Sequence, residues 1–192
     1  MLLKYETERL VLKVLKPDAA MKVLDFYQRD RELFEEYETD RVPDFYTIQH
    51  QHKILKFEYN MAIKGQTIRF YVFLKENPDY IIGTVCLHNI TSSFYQSCEI
   101  GYKFSSIFHH QGYASEAIKC VMSVAFYDLN LHRITAVVEK NNRPSCRLLE
   151  KIGFTNEGIL RDYIYLHGKW KDHYLYSFLR NDNPNYNGCR IQ

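Results

Sequence analysis

The run Phe108-His109-His110-Gln111-Gly112-Tyr113-Ala114-Ser115-Glu116-Ala117 holds two kinds of chemistry side by side. His109 and His110 are of the type that ligates metals or carries protons. Gly112 and Ala114 are of the type that lets backbone approach a ligand closely. The paired histidines lack the spacing of a metal motif, and no acidic or cysteine ligand flanks them, so no metal is expected here.

The glycine is better placed than the histidines to act. From Ser115 to Tyr127, the residues Ala117, Ile118, Val121, Met122, Ala125 and Phe126 recur at helical spacing, which predicts a helix with one stripe against a sheet. The start of that helix must emerge at the sheet edge, and its first amides have no intrahelical acceptor. Such amides bind anions, the helix dipole adding about 0.3–1 kcal/mol for each favourable charge. The sequence contains neither the Gly-Lys-Ser/Thr of a P-loop nor Gly-x-Gly-x-x-Gly at this point. The expected guest is therefore a phosphate or pyrophosphate gripped by backbone, with a plain tight turn as the alternative that this stretch leaves open.

Other elements must position that loop. Arg9–Leu15 reads as a first strand, Ala19–Tyr37 as helix with a break near Arg29–Arg31, and Phe45–Lys64 as a second helix stopped by Gly65. Thr67–Leu74, Tyr80–Leu87 and Cys98–Phe104 read as three successive antiparallel strands, separated by Asn77-Pro78-Asp79 and by Asn89–Ser93. After the helix come a strand at His132–Val138, a short helix at Pro144–Ile152, and a hairpin of Ile159–Leu166 and Lys171–Leu179. The result is one mixed α/β domain over residues 1–180 with helices on the faces of its sheet, followed by a loose tail at 181–192.

Composition narrows the partners. The 192 residues include 46% apolar and 15% aromatic types, enough for a proper core in one domain. Basic and acidic residues, 25 and 23, are interspersed for a net charge of +2, which favours neither nucleic acid nor an anionic membrane. No apolar run approaches the roughly 20 residues that span a bilayer, and no signal peptide is visible. Five widely spaced cysteines without a Cys-x-x-Cys pair suggest neither a disulfide framework nor zinc, and the expected setting is cytoplasmic.

Several segments together resemble one family. His109-His110-Gln111-Gly112-Tyr113-Ala114 is similar to the Gln/Arg-x-x-Gly-x-Gly/Ala loop of GNAT N-acetyltransferases, with His109 where Gln or Arg is usual. Thr7-Glu8-Arg9-Leu10, Glu99-Ile100-Gly101-Tyr102, Asn142-Arg143-Pro144-Ser145, Glu150-Lys151-Ile152-Gly153-Phe154 and Glu157-Gly158 extend the likeness. The combination resembles the branch containing the ribosomal-protein N-terminal alanine acetyltransferases, over roughly residues 5–180. It implies the GNAT fold, a mostly antiparallel central sheet of about seven strands with helices on both faces.

The resemblance also implies acetyl-CoA as co-substrate without a metal. Its pyrophosphate would sit on the amides of Gln111, Gly112, Tyr113, Ala114 and Ser115, beside His109. The pantetheine would lie along Tyr102, Lys103 and Phe104, between strands splayed to admit it, with Asn142 bonding the arm. On sequence alone Asn142 reads equally well as a turn residue. The Tyr used as acid by many members is replaced by Leu149, which turns attention to Ser145 as donor to the leaving thiolate. An ordinary helix-start hydroxyl is the other reading of Ser145. Glu99, directly or through water, is the implied base, or else a partly buried glutamate paired with Arg or Lys.

An α-amine with a pKa near 8 needs about one pH unit of help at pH 7, roughly 1.4 kcal/mol, whereas lysine needs more than three units, roughly 4.6 kcal/mol. The branch resemblance implies, and this easier deprotonation supports, a protein N-terminal α-amine such as that of a ribosomal protein as the expected acceptor. A polyamine, aminoglycoside or amino-acid derivative is the enzymatic alternative, and a non-catalytic CoA-binding module the other, with monomer and homodimer both open. Trp170, Tyr163, Tyr165, Tyr174 and Tyr176 on the hairpin read as packing or as the lining of an acceptor groove.

Overall fold

The computed structural model describes residues 1–182. Its strands are β1 (Lys4–Glu6), β2 (Leu10–Lys13), β3 (Ile68–Leu74), β4 (Asn77–Thr91), β5 (Ser97–Phe104), β6 (Arg133–Glu139), β7 (Thr155–Leu166) and β8 (Lys169–Leu179). They form one eight-stranded sheet in the order β1-β2-β3-β4-β5-β6-β8-β7. Every neighbouring pair is antiparallel except β5 with β6. The strand beyond the expected seven is β1, whose three residues are too few to show an alternation in sequence.

Helices α1 (Ala20–Arg29), α2 (Arg31–Glu36) and α3 (Ile48–Ile63) follow β2, and α4 (Tyr113–Ser123) and α5 (Arg143–Ile152) flank β6. Strand alternation sends neighbouring residues to opposite faces. Val11, Tyr71, Phe73 and Ile81 thus pack with Val23, Phe26, Tyr27, Phe34 and Leu55 of the first three helices. Leu12, Phe70, Val72, Ile100 and Ile134 pack with Ile118, Val121, Met122 and Leu149 of α4 and α5.

Local chemistry explains most boundaries. Thr47 caps α3 by accepting from the His50 amide at 3.2 Å, and Gly153, at φ +110°, ends α5 in the left-handed conformation. The loop between β7 and β8 is only His167-Gly168, both at positive φ, the geometry that suits the twist of a two-residue hairpin. Two expectations change. Asn77-Pro78-Asp79 belongs to β4 rather than to a turn, because Leu74 already pairs with Asn77 and the chain reverses at Lys75-Glu76. The helix expected to reach Tyr127 passes after Ser123 into π-type bonding at Val124–Asp128, where the Leu129 amide reaches the Val124 carbonyl at 3.0 Å.

Cys86, Cys98 and Cys146 are buried free thiols, whereas Cys120 is disulfide-bonded, against the expectation from cysteine spacing, which does not show long-range pairing. The expected tail falls outside the described residues apart from Asn181 and Asp182, and so does Cys189. No helix of the described residues is long and apolar enough to cross a membrane.

Candidate active site

Gly112 takes the N-cap position of α4 at φ +82°, a conformation glycine reaches without steric cost. The helix bonding starts with the Glu116 amide on the Gly112 carbonyl, at 3.0 Å, so the amides of Tyr113, Ala114 and Ser115 precede any intrahelical acceptor. His110 turns the chain ahead of them at φ +62°. His109 points elsewhere: its Nε2 lies 3.0 Å from the Phe104 carbonyl, which joins the loop to the end of β5. The Gln111 side chain donates to the Ile107 carbonyl at 2.9 Å, leaving its backbone as the part at the helix start.

The first helical turn is held by residues that the sequence reading quoted but gave no task. Glu116 accepts from Thr7 Oγ1 at 2.5 Å, from the Arg9 amide at 2.9 Å and from Arg9 Nε at 2.7 Å. Arg9 also donates to the Gln111 carbonyl at 3.1 Å and lies over the Tyr113 ring at 4.5 Å. Burial raises the Glu116 pKa, but the bonds from Thr7 and Arg9 and the Arg9 charge outweigh it, so the carboxyl ionises below its ordinary range. Thr7 and Arg9 lie more than a hundred residues from Glu116, so only the fold reveals the clasp.

Next to this loop the sheet opens. β5 and β6 pair only through Ser97↔Arg133, Cys98↔Ile134 and Glu99↔Thr135. Past Glu99 and Thr135 each strand stays bonded to its outer partner, β5 to β4 through Phe104 and β6 to β8 through Glu139. The stretch Ile100–Phe104 therefore presents an unpaired strand edge inside the sheet, one that a ligand with amide groups can satisfy. Phe104 anchors the end of this edge, and its ring fills the space a side chain at Gly83 would need: a Cβ there would stand 2.4 Å from it.

On the face covered by α4 and α5, Tyr102 reaches across to the start of α5, where its hydroxyl and Ser145 Oγ share a 2.7 Å hydrogen bond in which either oxygen can donate. Burial pushes the Tyr102 hydroxyl pKa up against the lowering effect of Ser145, so it stays protonated at neutral pH. Ser145 does not use its hydroxyl on a backbone amide. Instead its own amide is capped by Asn142 Oδ1 at 3.2 Å, which makes Asn142 the N-cap of α5. The Asn142 side-chain NH2 is the group left to meet a ligand.

The other face carries Glu99, Gly101 and Lys103. Lys103 leaves the gap on this side: its ammonium bonds Glu38 and lies 5.2 Å from the Tyr27 ring centre, and burial together with the Arg69 and Arg41 charges pushes its pKa down. Only its backbone remains along the gap. Glu99 stands at the last rung before the strands part. Its Oε1 lies 3.7 Å from His88 Nε2, and its Oε2 accepts from Asn89 Nδ2 at 3.4 Å. Neither His88 nor the Tyr102 hydroxyl was singled out by sequence reasoning, since both depend on strand register.

A family model described as an acetyltransferase (GNAT) domain matches residues 9–155. The probable N-acetyltransferase YjcK of Bacillus subtilis (strain 168) is 33% identical over 90% of this chain and 94% of its own. Ribosomal-protein-S5-alanine acetyltransferase from Vibrio fischeri superposes with a TM-score of 0.87 at 28% identity, covering 93% of this chain and 97% of that one. Mycobacterium smegmatis RimJ, solved in complex with CoA-disulfide, gives a TM-score of 0.87 at 25% identity over 93% of this chain and 86% of that one. Free amides at a helix start, a parted pair of strands and this breadth of likeness agree: the chain belongs to the GNAT family and is an N-acetyltransferase.

Proposed function

We propose that this enzyme acetylates the N-terminal α-amine of a protein, in the manner named for its ribosomal-protein-alanine relatives. The observation that carries the reading is the likeness to the Vibrio fischeri enzyme along 93% of this chain. Two features support it. An α-amine needs far less help to lose its proton than a lysine does. The hairpin of β7 and β8 also exposes Tyr163, Tyr165 and Trp170, apolar area of a kind that suits a peptide, whereas Tyr176 is buried as packing.

Acetyl-CoA fits the residues present. The amides of Gly112–Ser115 suit its pyrophosphate, the edge of Tyr102–Phe104 suits the amides of pantetheine, and the Asn142 NH2 lies beside that path. The bound donor supplies an acyl thioester. Ser145 donates a proton toward the departing sulfur, the Tyr102 hydroxyl steadies the serine oxygen by donating to it through their 2.7 Å bond, and solvent restores the serine proton. On the opposite face, the surroundings of Glu99 receive the proton that the amine must lose.

Release of CoA thiol, followed across N-terminal peptides and small amines, tests the acceptor. A peptide beginning with alanine should give the highest kcat/KM. A polyamine, aminoglycoside or amino-acid derivative that outperforms every peptide would replace this reading.

A further inference from the structure

The bend in β4 directly after His88 has a chemical result. Asn89 stands at φ +52° and the β4–β5 register shifts between His88 and Thr91, which marks a bulge. In a regular strand His88 and Asn89 would point to opposite faces. Here both reach one carboxylate, His88 Nε2 toward Oε1 and Asn89 Nδ2 toward Oε2 of Glu99. Asparagine takes this left-handed conformation more readily than most non-glycine residues, which lets the strand bulge here.

We propose that His88 is the group that takes the proton from the incoming amine, while Glu99 holds the imidazolium that results. Position supports this first. His88 pairs with Glu99, which occupies the last rung before β5 and β6 separate. The floor beside it is Gly101, where an added Cβ would touch only His88 Nε2, at 3.7 Å, so a substrate can come close to that nitrogen. About a third of the His88 side chain is exposed.

Proton affinity supports it second. From reference values, an α-amine lies about 3.7 pH units above a glutamate but only about 1.5 above a histidine, so the imidazole is the better-matched acceptor. The groups facing His88 are Glu99 on β5 and Arg69 on β3, the latter held by Glu58 of α3 at 2.6 Å. Burial and Arg69 lower the His88 pKa and Glu99 raises it, with lowering the net result, so the ring is neutral at pH 7. During transfer the N–C bond forms as the thioester C–S bond breaks. The amine proton passes to His88 Nε2, the sulfur takes one from Ser145, and His88 then returns its proton to solvent, from which the Ser145 hydroxyl is restored.

The inference rests on an amine acceptor reaching the Glu99 end of the gap, whatever carries that amine. It is tested with the whole enzyme by measuring kcat/KM against pH for wild type, His88→Gln and Glu99→Gln, using acceptors of high and low amine pKa. In wild type the rate should fall on the acid side with a midpoint below about 6.5. His88→Gln should abolish that limb and lower kcat about a hundredfold, the loss shrinking for amines of low pKa. Glu99→Gln should keep the limb and move it to lower pH.

A limb that survives in His88→Gln and vanishes in Glu99→Gln would make Glu99 the base and overturn the proposal. So would an equal loss in His88→Gln for every amine at every pH, or no turnover of any amine by the wild type. If small amines react and N-terminal peptides do not, the acceptor reading fails alone, and the same criteria are applied to His88 with the reactive amine.

Discussion

Gly112 carries two constraints, its left-handed φ of +82° and its place ahead of three free amides. Gly112→Asp violates both. It puts a side chain into a conformation that costs about 1–2 kcal/mol, and a negative charge where the pyrophosphate is proposed to sit. Acetyl-CoA affinity measured by calorimetry should drop about tenfold or more, and an unchanged affinity would remove the loop from the binding site. Gly112 was legible in the sequence because its conformational freedom and the helix start behind it are both local. Asn142 entered through the family likeness, with a turn residue as the reading from sequence alone, and its Oδ1 caps α5. The contacts of Tyr102 with Ser145 and of His88 with Glu99 were not legible, because they bring together residues from different elements.

At the scale of elements, α4 is tied to the β2 end of the sheet through Glu116, Thr7 and Arg9. Glu116→Ala should cost about 1–2 kcal/mol, since it leaves three donors without their acceptor at a site only partly shielded from water. Denaturant unfolding measures that loss. Acetyl-CoA binding should weaken as well, because Arg9 would lose the partner that holds it against the Gln111 carbonyl. Periodicity located α1 to α5 and most strands, even the break between α1 and α2 near Asp30. It failed where geometry rather than composition decides. Asn77-Pro78-Asp79 has the chemistry of a turn yet lies in β4, where exposed Pro78 near the strand start is tolerated. The π-type turn after Ser123 leaves no mark in an apolar pattern.

For the whole molecule, several carboxylates join distant parts of the chain and ionise more easily in the fold than out of it. Asp30, between α1 and α2, accepts from Ser105 Oγ and Ser106 Oγ, both at 2.5 Å, just past β5. Burial opposes its ionisation, but the serine bonds and Arg29 prevail and lower its pKa, as Thr7 and Arg9 do for Glu116. A depressed folded pKa contributes stability that is complete above the unfolded value, near 4, and is lost as pH falls through the folded one. Tm should therefore decline modestly between pH 7 and about 5, where the depressed His88 must be charged on unfolding, and more steeply below about 4 as these carboxylates are protonated. Asp30→Asn should start lower and decline less, and parallel curves for the two proteins would contradict the assignment. The parting of β5 and β6 also bears on how a catalytic cycle finishes. Ser145 lies on the side of α4 and α5, whereas His88 and Glu99 lie on the side of α1 to α3, so the roles proposed for them fall on opposite faces of the sheet. On those roles the sheet would act as a partition at the parted strands, with the two products leaving toward opposite faces. If they do, neither product needs to wait for the other, and product-inhibition kinetics should show release without a compulsory order.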